Sequence, residues 1–194
     1  LIFFIILFVC LIIKMTTYKK YGYWSTLESI SLIDISISAG FDFVIFDMEH
    51  GKHNINSISN AILLLKKSGC KSYVRIPQNS YSLIQRIHDI GSDGILFPML
   101  HYKEQIKIAR EATKSEPNGQ LGYNPFVKRF DYQNKISKNN FSCIGMIEDL
   151  DLFEEALNLY LTFELDGCYL GAYDMNIKAG YNGDLKNKDY LKKL

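Results

Sequence analysis

The sequence predicts an α/β fold with a parallel sheet, and three observations support this prediction. Short apolar runs alternate with longer segments of helical periodicity, which is the pattern of repeated strand–helix–strand units. The apolar runs are hydrophobic at both odd and even positions, as in strands that other layers cover on both faces. No GxGxxG motif follows the first strand, which weakens a doubly wound dinucleotide fold relative to the competing (β/α)8 barrel.

The individual elements follow from these runs. Strands are predicted at residues 21–26, 41–48, 71–77, 93–100, 142–149 and 165–174. Helices are predicted at residues 29–38, 57–69, 82–91, 102–114 and 150–163, and the second of them ends in a Lys-Lys-Ser-Gly stop signal. The polar segment 115–141 is expected to contain a short strand near residues 119–124 and a long loop. With that strand included, 142–149 and 165–174 become the sixth and seventh strands.

Charge and cysteine content exclude several classes of protein. The 194 residues contain 22 Lys and Arg against 21 Asp and Glu, so no basic surface indicates nucleic acid binding. The four cysteines, Cys10, Cys70, Cys143 and Cys168, are far apart and include no CxxC pair. Neither a zinc site nor a disulfide framework is therefore indicated, and reduced cysteines in a cytoplasmic protein are expected.

The first 13 residues are wholly apolar and are considered separately. As a helix they would span ~20 Å, which is short of the ~30 Å hydrocarbon core of a bilayer. Met15 then opens a sequence typical of a cytoplasmic amino terminus. Residues 1–14 are interpreted as an apolar leader or a translated upstream segment, with an export or membrane segment and a buried element as alternatives. Residues 15–194 are interpreted as one domain.

Charged side chains recur where the predicted strands end. In a parallel barrel the carboxyl ends of the strands meet at one face, and active sites are built there. Several strands ending in complementary chemistry therefore indicate a site. These side chains are Asp47, Glu49 and His50 after the second strand, then Arg75, Glu148 and Asp174.

The residue types suggest the chemistry of this site. Glu148 and Asp174 are hard oxygen ligands that suit Mg²⁺ or Mn²⁺ with open positions for water or substrate. Arg75 offers a rigid fork of donors for a carboxylate or a developing oxyanion. Asp47 and His50 could form an orienter–base pair in which the carboxylate fixes the imidazole tautomer. Together these groups describe a site that stabilises the enolate of a 2-oxo acid.

Five motifs in this order resemble the HpcH/HpaI aldolase family, over a stretch from about residue 22 to residue 183. They are DMEHG (47–51), VRIP (74–77), GSDGILFPML (91–100), MIED (146–149) and LDGCYLGAYDMNIKAG (165–180). The family comprises metal-dependent class II aldolases of the pyruvate and phosphoenolpyruvate barrel group. The resemblance therefore implies a (β/α)8 TIM barrel, and it assigns residues 15–194 to an incomplete aldolase domain.

The resemblance also implies a role for each site residue. Glu148 and Asp174 are implied as metal ligands, with Mg²⁺ or Mn²⁺ expected and Co²⁺ or Zn²⁺ as other options. Arg75 is implied to stabilise the C2 oxyanion, and His50, held by Asp47, is implied as the base. The implied substrate-binding residues are Gly171, Ala172 and Tyr173, through their backbone N–H groups, and Trp24 beside the pocket.

The activity implied by the family is cleavage of a 4-hydroxy-2-oxo acid into pyruvate and an aldehyde. The alternatives are a bond-forming relative, such as a citrate-synthase-like enzyme or a sugar-acid aldolase, and an inactive fragment. The implied partners are a small 2-oxo acid and further copies of the chain in a hexamer. Nucleic acid and membrane partners are not expected, and the expected location is the cytoplasm.

The sequence departs from the family pattern in places. Asp149 adds a carboxylate after Glu148, Ala172 replaces a proline, and Gln120-Leu121-Gly122 replaces an Arg-Gly pair that bears on substrate recognition. The chain ends inside the expected seventh helix, so the barrel is expected to be truncated before the eighth strand. The remaining histidines are expected outside the site: His53 and His101 in loops, and His88 partly exposed on a helix.

Overall fold

The computed structural model describes residues 20–133 and 140–194, and these form one parallel sheet flanked by helices. The strands are β1 (Gly22–Ser25), β2 (Phe43–Asp47), β3 (Lys71–Arg75), β4 (Gly94–Phe97), β5 (Ser142–Ile147) and β6 (Gly167–Leu170). The helices are α1 (Ile30–Ser38), α2 (Ile55–Ser68), α3 (Tyr81–Asp89), α4 (Lys103–Thr113), α5 (Phe153–Thr162), α6 (Ala172–Lys178) and α7 (Lys188–Lys193). Each strand pairs in parallel with its neighbours in chain order.

Helix α2 shows how local sequence sets an element's boundaries. The Asn54 side chain accepts hydrogen bonds from the backbone N–H groups of Asn56 and Ser57, and the Ser57 hydroxyl group accepts from the N–H of Asn54. This reciprocal capping box satisfies donors that the first helical turn leaves unpaired. The helix ends at Gly69, whose φ of 77° lies in the left-handed region that glycine tolerates best.

The sheet is curled, and its two faces pack differently. Alternate residues such as Val44 and Phe46 point outward into the main core formed with the helices. The residues between them point inward and form a smaller cluster around Ile45, Leu96 and Tyr169. A cavity of about 190 Å³ lies inside the curve towards the amino ends of the strands. Strand alternation therefore determines which side chains reach the interior.

Aspartates at the start of three strands tie neighbouring strands together. The carboxylates of Asp42, Asp93 and Asp166 accept hydrogen bonds from the backbone N–H groups of Tyr21, Ser72 and Cys143, respectively. Each of these N–H groups lies on the preceding strand or just before it. These aspartates therefore lie at the amino-terminal face of the sheet, opposite the strand ends that carry Asp47 and Arg75.

The predicted fold class is confirmed: strands and helices alternate in a (β/α) barrel arrangement whose sheet has six strands. The short strand predicted near residues 119–124 is wrong. The N–H groups of Gln120 and Leu121 bond to the carbonyl groups of Glu111 and Lys114 at the end of α4, so they do not extend the sheet. Strand β4 pairs directly with β5 instead. The former sixth and seventh strands are thus the fifth and sixth.

The predicted strand 165–174 extends too far. Its ladder with β5 ends at Leu170, and the N–H of Met175 already bonds to the carbonyl group of Gly171 as the first turn of α6. Asp174 therefore lies in the first turn of a helix and not at a strand end. None of the helices within 20–133 and 140–194 is long and apolar enough to cross a membrane. The interpretation of residues 1–14 concerns a segment outside the described residues.

Candidate active site

Strand alternation places three charged residues at the interior mouth of the sheet. Asp47 has the same parity as the inward-facing Ile45, and Arg75 has the same parity as Tyr73. Glu148 follows β5 with the parity of Met146. Asp47 and Arg75 are also register partners on adjacent strands. The clustering expected from the sequence at the carboxyl ends of the strands is therefore present.

Asp47 and Arg75 form a buried bidentate ion pair. Arg75 Nε donates to Asp47 Oδ1 over 2.9 Å, and Nη2 donates to Oδ2 over 2.5 Å. The guanidinium carbon lies 4.9 Å from the centre of the Trp24 ring, and Trp24 Nε1 donates to Asp47 Oδ2. Burial would raise the pKa of Asp47, but hydrogen bonds from Arg75 and from the His50 N–H outweigh it and hold the pKa below its ordinary value.

Glu49 is a further carboxylate of the site and lies beside Arg75. Its Oε2 lies 3.0 Å from Arg75 Nη1, although the geometry is not that of a hydrogen bond. Burial raises the pKa of Glu49, and the Arg75 charge opposes this while Asp47 and Asp174 add to it. Arg75 therefore sits between two carboxylates at the mouth of the sheet.

Glu148 is buried, with 5% of its surface exposed. The backbone N–H of Met99 donates to its Oε2, and Met99 adopts a left-handed φ of 47°. Burial raises the pKa of Glu148; the Met99 hydrogen bond opposes the rise, whereas the nearby charges of Asp174 and Glu49 add to it. Three carboxylates thus lie within electrostatic range of each other.

The His50 imidazole is not held by Asp47 in this structure. Asp47 Oδ1 accepts from the backbone N–H groups of Glu49 and His50 instead, over 3.0 and 3.1 Å. The His50 side chain is 75% exposed, and its Nε2 lies 4.0 Å from Glu49 Oε2. Arg75 and these two N–H groups occupy the Asp47 oxygens, so Asp47 positions the loop that carries His50 and not its ring. Glu49 is the carboxylate beside the ring.

Gly171 has no side chain and so leaves room for the side chain of Glu148. Its backbone N–H bonds to the carbonyl group of Ile147. The N–H groups of Ala172, Tyr173 and Asp174 lie in the first turn of α6 and have no intrahelical acceptor, so of the three residues implied to bind the substrate carboxylate only Ala172 and Tyr173 keep this capacity. A Cβ at position 171 would lie 2.5 Å from Glu148 Cγ. The absence of a side chain at Gly171 therefore lets α6 approach Glu148.

Two histidines that were expected in loops outside the site are buried beside it. His101 Nε2 accepts the backbone N–H of Glu148 over 3.0 Å. His53 Nε2 lies 2.9 Å from the hydroxyl group of Ser25, at the carboxyl end of β1. His88, expected to be partly exposed, is 2% exposed and packs edge-on against Phe141. The contacts of His53 and His101 depend on loops that meet only in the folded chain, so no periodicity marked them. His88 lies one turn after the buried Ile84 on α3, so helical periodicity was the signal that could have placed it in the core.

The donor set fits one hard divalent cation. Glu148 and Asp174 are carboxylates whose mutual repulsion a cation would relieve, and two carboxylates with water or substrate suit Mg²⁺ or Mn²⁺. Within the described residues no group of three or more His, Cys, Asp or Glu side chains has the arrangement of a metal site.

Comparison with known proteins identifies the family of the chain. The family model described as HpcH/HpaI aldolase/citrate lyase matches residues 20–193. The chain belongs to this family. A 5-keto-4-deoxy-D-glucarate aldolase from Escherichia coli (strain K12) is 28% identical over 179 residues, which cover 89% of this chain and 70% of the relative.

Solved structures of HpcH/HpaI family members and of other enzymes share the fold. An HpcH/HpaI aldolase from Desulfitobacterium hafniense DCB-2 superposes with a TM-score of 0.79 at 22% identity, covering 89% of this chain and 69% of that one. The citrate synthase SbnG gives a TM-score of 0.73 at 22% identity, with coverages of 89% and 69%. Macrophomate synthase gives 0.72 at 21% identity, with coverages of 89% and 65%. At these identities the likeness concerns the fold alone.

Proposed function

We propose that this HpcH/HpaI family protein is a divalent-metal-dependent carbon–carbon lyase. It would cleave a 4-hydroxy-2-oxo acid into pyruvate and an aldehyde. The observation that carries the proposal is the buried Glu148 carboxylate, which lies within electrostatic range of Asp174 and near Arg75 at the mouth of the sheet. Family membership supports a lyase, and the donor set supports Mg²⁺ or Mn²⁺.

Each residue has a defined task in the proposed reaction. Glu148 and Asp174 would hold the cation, which when bound polarises the 2-oxo acid and offsets negative charge. The N–H groups of Ala172 and Tyr173 would bind the substrate carboxylate. His50 would take the proton from the C4 hydroxyl group, after which the C3–C4 bond breaks and the aldehyde leaves.

Arg75 would stabilise the enolate that remains on the pyruvate fragment. A guanidinium has five N–H donors, and the contacts with Asp47 and Glu49 leave donors for the C2 oxygen. Trp24 and Asp47 fix the plane of the guanidinium, so little reorganisation is needed when negative charge develops. The enolate would then take a proton at C3, from the protonated His50 or from solvent water, to give pyruvate.

A sugar-acid-derived 2-oxo acid is the substrate class we favour within this reaction. The relative named 5-keto-4-deoxy-D-glucarate aldolase, at 28% identity, supports this choice. The hexamer and the cytoplasmic location implied by the family resemblance remain predictions.

Metal-dependent pyruvate release from a 4-hydroxy-2-oxo acid tests the proposal. We expect release to require Mg²⁺ or Mn²⁺ and to be lost with chelator, and Glu148→Gln and Asp174→Asn to abolish it. Asp149→Asn is the matched control, because Asp149 Oδ1 accepts the N–H of Asp151 in the following loop. Release that persists with chelator, or that survives both ligand substitutions, would overturn the proposal.

A further inference from the structure

The His101 side chain accepts a hydrogen bond from the backbone N–H of Glu148, a buried donor that has no partner on a neighbouring strand. The β5–β6 ladder ends at Ile147, and the N–H of Glu148 is the next donor along the chain. His101 Nε2 accepts this N–H over 3.0 Å from the loop between β4 and α4. A buried N–H without an acceptor is costly, so this contact matters to the backbone at Glu148.

The loop that carries His101 contacts both the side chain and the main chain of Glu148. The Met99 N–H donates to the carboxylate, and the His101 N–H donates to the carbonyl group of Met99 in a tight turn. The Tyr160 hydroxyl group reaches the carbonyl groups of Leu100 and Met146, which ties the loop to β5. The Glu148 side chain and main chain are therefore positioned by a single braced loop.

The geometry also defines the state of the His101 ring. Because the Glu148 N–H is the donor, Nε2 must be the unprotonated nitrogen and Nδ1 carries the proton. Burial lowers the pKa of His101, and the Lys178 charge lowers it further, which agrees with a neutral ring. His101 is only 6% exposed, so water cannot readily replace its ring as the acceptor.

We propose that His101 is a positioning residue for the metal site: its Nε2 fixes the backbone of Glu148 so that the carboxylate is pre-oriented for a divalent cation. This inference rests on the proposed function, because it assumes that Glu148 is a metal ligand. Groups that orient metal ligands typically contribute 10–100-fold to metal affinity.

The test measures Mn²⁺ affinity directly, by electron paramagnetic resonance of free Mn²⁺, without an activity assay. His101→Phe and His101→Leu remove the acceptor with different shapes, and we expect each to weaken Mn²⁺ binding about 10-fold or more. His101→Gln keeps an acceptor at a similar reach and should restore most of the affinity. His88→Phe, at a buried histidine of α3, is the matched control and should bind Mn²⁺ like the wild type.

The outcomes separate the two proposals. The positioning role would be overturned if folded His101→Phe or His101→Leu bound Mn²⁺ with the affinity of the wild type. It would also be overturned if His101→Gln lost as much Mn²⁺ affinity as they do. If the wild type binds no Mn²⁺, or if Glu148→Gln binds it equally well, the metal site itself fails and the inference fails with it. Thermal unfolding without metal identifies the folded variants. If both acceptor-free variants unfold while His101→Gln folds and binds Mn²⁺ weakly, the role is also overturned.

Discussion

Arg75 and His50 differ in how the fold holds them, and this difference predicts separate roles. Arg75 is buried between Asp47 and Glu49 with its guanidinium plane against Trp24. His50 is largely exposed on a loop that Asp47 positions through backbone N–H groups. A rigid buried cation suits the stabilisation of developing charge, whereas an accessible imidazole suits proton transfer.

Two reactions distinguish these roles. Aldol cleavage needs a base for the C4 hydroxyl proton, whereas decarboxylation of oxaloacetate passes through the same enolate without that proton transfer. We expect His50→Ala to lower aldol cleavage ~10²–10⁴-fold and to spare decarboxylation. Arg75→Ala should lower both ~10²–10³-fold. Steady-state kinetics of both reactions check this, and equal loss of the two activities in His50→Ala would contradict the assignment.

The raised pKa of Glu148 predicts that the stability of the metal-free protein depends on pH. Burial, together with Asp174 and Glu49, raises its pKa above the ordinary 4.5, so the folded state binds the proton more tightly than the unfolded state. The contribution of Glu148 to the free energy of unfolding is therefore complete below pH 4.5, and it is lost as the pH rises through the pKa of the folded state. Glu148→Gln should therefore have a higher Tm than the wild type at pH 7 without metal.

The control for this prediction is the same measurement near pH 4.5, the ordinary pKa, where the two proteins should differ less. Added Mn²⁺ should raise the Tm of the wild type at pH 7 and leave that of Glu148→Gln unchanged, because only the carboxylate binds the ion well. A metal-free Glu148→Gln protein that is less stable than the wild type at pH 7 would contradict the raised pKa.

At the scale of elements, the junction of β6 and α6 is built around Gly171. A Cβ there would lie 2.5 Å from Glu148 Cγ, so Gly171→Ala must displace the carboxylate or the helix. We expect a loss of about 1–3 kcal/mol in the free energy of unfolding, the usual cost of overpacking, and weaker Mn²⁺ binding. Chemical denaturation and Mn²⁺ titration measure the two effects.

Gly167→Ala at the start of β6 is the matched control for Gly171. Its Cβ would meet Ile144 at 3.5 Å, which is ordinary van der Waals contact, so Mn²⁺ affinity should be unchanged. If Gly171→Ala binds Mn²⁺ as tightly as Gly167→Ala does, close approach of α6 to Glu148 is not needed for the site.

At the scale of the whole molecule, the sheet has two edges within the described residues. Strands β1 and β6 each pair on one side only, and the interior beneath Trp24 and Tyr169 contains an open apolar cavity. Unpaired strand edges favour association with other chains. We expect the 194-residue polypeptide to self-associate, measured by size-exclusion chromatography with light scattering. A sharp monomer peak with cooperative unfolding would contradict this expectation.

The order of elements and the position of the site could be predicted from the sequence because both depend on local patterns. Apolar runs gave five of the helices within a few residues, and the strand ends brought Asp47, Arg75 and Glu148 to one mouth. The end of β6 was misjudged because the run from 165 to 174 stays largely apolar across the junction with α6.

The sequence by itself determined the fold class, the family and the chemistry available at the strand ends. Only the tertiary structure decided which groups are partners: Arg75 and not the His50 ring on Asp47, and His101 on the backbone of Glu148. It also decided that Gln120 and Leu121 bond to the end of α4 and do not join the sheet, so that β4 pairs directly with β5. The reason is that periodicity is a local property, whereas register and loop contacts join residues that lie far apart in the chain.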